Sequence, residues 1–290
     1  MCCSQKHVHL GSRGIAACGL PLLLVMLVML VMLVMLAPSA AASAAEGSGF
    51  TDLHTDRDAF TPSTETATVG TLLTEGSYVF IDNRSAPSTN VYPELLFRAG
   101  VTDRFEWRFG ISYASNAGGY LVTNAEGSEG PSDGTICYES NVLYGFKAVV
   151  TEQAAWLPKS CVIVEAFTPL SGAAFGTAPA VTYAWGWKSS ESWRLDAALR
   201  YVYAESRVNW INKWMPSVVL RIPVTERWEV HGEYFSTFTD GAVDNATIPF
   251  LSPGTHYMLT KNLEIGIRLG WGLSQDAANF FSDAGFGWRY

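Results

Sequence analysis

The sequence predicts an all-β fold, an antiparallel transmembrane β-barrel of about twelve strands. Three observations carry that expectation. From Leu263 to Leu273 the odd positions are Leu, Ile, Ile, Leu, Trp and Leu, and the even ones are Glu, Gly, Arg, Gly and Gly. That is strict period-2 alternation, with every large apolar side chain on one face of a strand. The last stretch repeats it, with Phe286, Trp288 and Tyr290 on one face and Gly287 and Arg289 on the other. Runs of about ten residues separated by turn chemistry recur from Thr66 onward, which is the spacing of barrel strands.

Composition agrees. Charged residues make up 16% of the 290 residues, below the roughly 25% of soluble domains. Aromatics reach 13%, with 10 Trp, which suits a lipid-facing surface with aromatic girdles. A soluble β-sandwich is the competing reading. The net charge of -8, without a basic run, argues against nucleic-acid binding.

Residues 1–44 read as a signal peptide. Lys6 and Arg13 are positive, no acid precedes Glu46, and Leu22 to Leu36 is uninterrupted apolar sequence. Ala42-Ser43-Ala44 fits an A-x-A cleavage site, leaving Ala45 as the first mature residue. The alternative is an uncleaved signal anchor, but the apolar run falls short of the roughly 20 residues a helical span needs. A mature chain in a membrane must then be a closed barrel, because only helices and barrels satisfy every backbone group in lipid. Residues 45–65 are polar, turn-rich and without period, and read as a periplasmic segment. Residues 66–290 are the barrel.

The strands follow in order. The first covers Thr66 to Ile81, with weak alternation at its start. The second, Val91 to Val101, sets Val91, Leu95, Phe97, Ala99 and Val101 against Tyr92, Glu94, Leu96, Arg98 and Gly100. The third, Phe105 to Tyr113, places Phe105, Trp107, Phe109, Ile111 and Tyr113 outward. The fourth is Val142 to Val150, the fifth Leu157 to Leu170, the sixth Ala180 to Lys188 and the seventh Trp193 to Tyr203. The eighth runs from about Trp210 to Ile222 and the ninth from Trp228 to Phe238. Residues 239–253, rich in Gly and Pro, read as a loop before a short tenth strand, Thr255 to Leu259. Connections at 102–104, 151–156, 188–192, 223–227 and 260–262 read as short. Those at 82–90, 115–141, 239–253 and 274–279 read as longer, and two intermediate ones near 171–179 and 204–209 join the long series. Short turns on the periplasmic side and longer loops outside are the barrel rule, and the expectation places both termini in the periplasm.

With the strands placed, the chain resembles the outer-membrane family named for the meta-pathway of phenol degradation, labelled a transporter. The resemblance rests on Thr55-Asp56-Arg57-Asp58-Ala59-Phe60-Thr61, on hairpins with Thr-Asp or Thr-Glu turns at Val101-Thr102-Asp103-Arg104 and Val224-Thr225-Glu226-Arg227, and on the aromatic end. It implies an outer-membrane channel for small, hydrophobic or aromatic solutes, and it supplies no catalytic residues.

The inward faces carry Glu94, Arg98, Glu106, Arg108, Arg194, Asp196, Arg200, Lys213, Arg221, Glu229, His231, Glu233, Glu264, Arg268 and Arg289. These line a polar permeation path or form ion pairs that fill the lumen. Eight strands leave room only for side chains and sixteen leave a water channel, so twelve fit either. Both signs interleave, which favours filling. Cys137 and Cys161 are the cysteines left after processing, in a compartment that permits disulfides. Cys161 is expected opposite roughly residue 146, facing the lumen. A bond to Cys137 would require segment 115–140 to fold down into the barrel as a plug or constriction.

No cofactor and no metal site are expected. His54, His231 and His256 are the histidines outside the leader, and none stands at metal-ligand spacing in sequence. The row Glu229-His231-Glu233 reads as a hydrogen-bonded lumen wall. The expected partners are membrane lipid and small solutes. A closed barrel acting through its outer loops is a second reading, and a barrel hydrolase using His231 or His256 a third.

Overall fold

The computed structural model describes residues 53–84, 86–116, 121–125, 138–172, 176–189, 193–205, 210–241 and 246–290. The expected leader and Cys137 lie outside them. Twelve antiparallel strands form one closed barrel: β1 (Leu72–Asp82), β2 (Thr89–Thr102), β3 (Phe105–Ser115), β4 (Tyr138–Thr151), β5 (Lys159–Ser171), β6 (Ala178–Lys188), β7 (Arg194–Glu205), β8 (Trp210–Pro223), β9 (Trp228–Asp240), β10 (Thr247–Thr260), β11 (Leu263–Gly272) and β12 (Phe280–Arg289). Each strand pairs with its sequence neighbour, and β1 pairs with β12 to close the ring. No sheet edge is left unpaired, as a lipid-embedded sheet requires.

The period-2 pattern sets the two faces. Trp107, Phe109, Tyr183, Leu199, Trp214, Tyr234, Leu251 and Trp271 are exposed on the outer wall. Exposed aromatics gather at both rims. Trp193, Trp228, Trp288 and Tyr290 stand at the end with the short turns, and Tyr113, Tyr138, Tyr203, Trp210 and Phe238 at the other. Amphipathic rings at two heights are the girdles of a membrane barrel.

Two sequence expectations are corrected by the strands. β10 is not a short strand after a long loop. It begins at Thr247 and pairs along its length with β9, from Thr247↔Phe238 to Tyr257↔Trp228. Pro249 and Pro253 lack a backbone donor, and the β10–β11 ladder skips Ser252 and Pro253, which is why this stretch reads as a loop. On β2, the register shifts between Val91 and Glu94. Val91 is therefore buried and Tyr92 is 67% exposed, the reverse of simple alternation.

Candidate functional site: a filled lumen

The inward faces build two different halves. Towards the short turns the wall is charged. Arg98, Glu106, Arg108, Lys147, Asp196, Arg221 and Glu264 are each buried there. Towards the long loops the wall is mainly apolar, with Glu139 and Lys213 buried in it. Val79, Ile81, Val91, Val202, Ile211, Met215, Phe235, Phe250 and Phe281 form one buried cluster. A barrel interior is ordinarily polar, so an apolar chamber inside this one is a departure.

The charged half is occupied by the N-terminal segment. Residues 53–65, read from sequence as periplasmic, instead lie inside the barrel. Asp56, Ala59, Thr61 and Ser63 are fully buried. The wall holds the segment mainly through carboxylates that accept from its backbone. Glu75 accepts from the N–H groups of Asp56 and Arg57, both at 2.8 Å. Glu233 accepts from Phe60 N at 2.9 Å, Thr61 N at 2.6 Å and Thr61 Oγ1 at 2.7 Å. Thr55 donates to Glu264. Backbone groups that form no secondary structure still need partners when buried, and these wall acids supply them.

Asp56 is the electrostatic hub. Its Oδ2 lies 2.6 Å from Arg108 Nη1 and 2.6 Å from Lys147 Nζ, and its Oδ1 lies 3.7 Å from Arg98 Nη1. Arg98 also donates to Glu106 at 2.8 Å and to Glu75 at 3.0 Å, and Arg108 to Glu165 at 2.7 Å. Burial alone would raise the Asp56 carboxyl. Arg98, Lys147 and Arg108 outweigh it and hold the group well below the usual carboxylate range. Two residues on, Asp58 lies 3.3 Å from Arg221, which also contacts Asp196 at 2.8 Å and Glu229 at 3.8 Å. His54 presents Nδ1 to Arg194 Nη1 at 2.8 Å. Burial, and then the positive charge of Arg194, hold it well below the ordinary histidine value.

A second insertion comes from the long connection after β3. Leu121, Val122, Thr123, Asn124 and Ala125 are buried, and the apolar ones belong to the chamber cluster. Arg268 donates to Val122 O, Thr123 donates to Glu94, and Asn124 Nδ2 donates to Asp56 O at 2.7 Å. The two insertions thus meet inside the barrel. Phe60 caps the N-terminal one, stacking on Phe235 with centroids 4.5 Å apart.

The predicted lumen residues are distributed as follows. Glu94, Arg98, Glu106, Arg108, Asp196, Arg200, Lys213, Arg221, His231, Glu233, Glu264 and Arg268 are buried inside the barrel. Arg194 and Glu229 are half-buried near the short-turn end. Arg289 instead reaches the β10–β11 turn, donating to Asn262 Oδ1 and Lys261 O; it sits at the rim because it is the last residue of its strand. Glu165 faces the lumen with Cys161, as the strand pattern gives, and Glu75, Lys147 and Asp283 also face it and were missed; their strand positions gave the signal. Cys161 is a free thiol opposite Val149, buried against Ser63 O at 3.9 Å. Its expected partner Cys137 lies outside the described residues, but part of the 115–140 segment is inside the barrel, held by hydrogen bonds. His231 and His256, distant in sequence, come together with Asp58: one ligand atom from each lies within 4.8 Å of the others.

Residues 50–290 match the family described as "Putative MetA-pathway of phenol degradation". The chain belongs to that family. Among solved structures, this family member is similar to an outer membrane channel from Pseudomonas putida F1, with 12% identity, a TM-score of 0.58, and coverage of 79% of this chain and 98% of that one. It is also similar to the NanC porin, with 8% identity, a TM-score of 0.51, and coverage of 75% and 98%. These likenesses show a shared outer-membrane barrel fold. No curated protein sequence matches the chain.

Proposed function

We propose that this protein is an outer-membrane channel for small apolar or aromatic solutes, closed at rest by residues 53–67 and 121–125. In this reading the leader is removed before residue 45 and both termini lie in the periplasm. The observation that carries the solute class is the apolar chamber. Phe235, Phe250, Phe281, Ile81, Val91 and Met215 give an apolar solute an aromatic-rich path. The inserted segments are held by polar contacts to the wall and are not part of the sheet, so they are the elements that can move without opening the barrel. No catalytic role is assigned: the partners of His256 are Asp58 and Glu229, which gives no nucleophile and base pairing.

The filled lumen favours a second reading, a permanently closed barrel acting through its outer loops. Conductance in a planar bilayer separates the two. The channel reading expects small or infrequent steps from the intact protein, larger steady steps after removal of residues 53–67, and block by small aromatic solutes. Silence from both folded proteins would favour the closed barrel.

A further inference from the structure

His231 is the least satisfied polar side chain near the plug. It is 6% exposed, and neither ring nitrogen has a hydrogen-bond partner among the described residues. A buried imidazole without a partner calls for an explanation. Its position is set by register. His231 stands opposite Arg221 on β8 and Gly254 on β10. A Cβ on residue 254 would lie 2.3 Å from His231 Nε2, so glycine is what lets the ring lie across β10. Two residues along β10, His256 faces the same space, with ring centroids 6.1 Å apart.

His256 has the arrangement of a ligand already oriented. Its Nε2 lies 3.2 Å from Glu229 Oε1, and its Nδ1 lies 3.5 Å from Asp58 Oδ2. A ligating histidine ordinarily gives its second ring nitrogen to a carboxylate, which fixes ring and tautomer. With the proton on Nε2 for Glu229, Nδ1 turns a lone pair towards the Asp58 oxygen. Two acceptors then face each other, with the orphaned His231 beside them. Arg221 satisfies Asp58 only in part, since Asp196 and Glu229 share it. Access exists as well. A cavity of about 640 Å³ at the short-turn end is lined by Asp58, Glu229, His256 and Glu264 and by turn residues Val224 to Arg227.

We propose that Asp58, His231 and His256 bind one divalent transition-metal ion of the zinc class. Two imidazoles and a carboxylate suit zinc better than magnesium or calcium. Two ligands belong to the barrel wall and the third to the inserted N-terminal segment. The ion therefore fastens the plug to β9 and β10, and its removal loosens the plug.

The test uses full-length protein purified from membranes without a histidine tag, stripped with chelator, and titrated with zinc alone. Folding of every variant is checked by heat-modifiable migration. The expected result is one zinc per barrel, with cobalt giving the visible bands of a low-coordinate nitrogen and oxygen site. His231→Gln and His256→Gln each weaken zinc at least tenfold, and Gly254→Ala does the same by displacing the His231 ring. Asp58→Asn also weakens zinc, and zinc protects the N-terminal segment from protease in wild type only. Absence of stoichiometric zinc on wild-type protein, or zinc binding indifferent to both histidine variants, overturns the site. Zinc binding that needs both histidines and ignores Asp58→Asn overturns the fastening role.

Discussion

Asp56 and Lys147 are 91 positions apart in the chain and 2.6 Å apart inside the barrel. The same carboxylate oxygen receives Arg108. Two buried cations on β3 and β4 thus share one carboxylate of the inserted segment, beside Glu106 and Glu165 of the wall. Removing one partner of a buried pair costs about 3–5 kcal/mol, because the other charge is left uncompensated. Glu106 and Glu165 still face these cations, so Asp56→Ala should loosen the segment by less than that while the sheet stays closed. Protease cleavage near residue 60 in folded protein, absent in wild type, would report it. Unchanged resistance would mean that Glu75 and Glu233 hold the segment alone.

Phe60 is the apolar anchor of the same segment. It is 1% exposed and nearly parallel to Phe235, at 7°. Truncating a buried Phe costs about 3–5 kcal/mol. Phe60→Ala should therefore combine with Asp56→Ala to empty the lumen. Channel steps in the double variant should exceed those of either single one. Equal conductance in all three would place the constriction at residues 121–125.

Most of the sheet was legible because its sequence repeats. Each strand must alternate to face lipid on one side, and alternation survives without any tertiary knowledge. The inserted segment was not legible for the same reason. Asp56, Arg57 and Asp58 carry the composition of a solvated turn, and their burial depends on wall residues up to 229 positions away. β10 was hidden by its prolines, and the face of Tyr92 by a register shift. The pairing of His231 with His256 requires the β9–β10 register, in which His231 meets Gly254 and not residue 256. The apolar half of the lumen could have been inferred from inward Phe235, Phe250 and Phe281, once β10 and β12 were extended to the long-loop end.

His54 gives the plug a pH dependence. Arg194 donates to its Nδ1, which requires the neutral ring, and burial followed by Arg194, Lys188, Arg221 and Arg98 holds its protonation well below the ordinary value. A group depressed in the docked state contributes fully above its free value of about 6.5. That contribution is lost as pH falls below it, because the released segment takes up the proton. Docking should weaken as pH falls below about 6.5, by up to tenfold per unit. His54→Gln should flatten this slope, measured as protease access to the segment against pH. A slope that survives in His54→Gln would assign it to another group.

The β1–β12 seam has no room for a side chain at Gly285. A Cβ there would lie 2.1 Å from Gly76 O and 2.8 Å from Ser77 Cα. Both contacts are backbone, so neither yields by rotating a side chain. Gly285→Ala should strain the closing pair by about 1–3 kcal/mol and lower the temperature at which the barrel loses heat-modifiable migration. Gly232, with open space around its Cβ, serves as the control. Gly232→Ala should leave that temperature unchanged.

Val122 tests the second insertion. It is fully buried in the chamber cluster, and its carbonyl accepts from Arg268, which also holds Asp283 and Glu233 at 3.1 Å. Val122→Asp would place a carboxylate among Phe, Ile and Leu side chains, beside an Arg268 already engaged by Asp283 and Glu233; such burial costs several kcal/mol. Leaving the lumen is the cheaper response, since residues 121–125 are not paired in the sheet. The variant should bind a fluorescent apolar dye in the emptied chamber, with Phe235 and Phe281 as its walls. Val122→Ile, which keeps the chamber filled, should bind no more dye than wild type. Equal dye binding by wild type and Val122→Asp would show that residues 121–125 do not control access to the chamber.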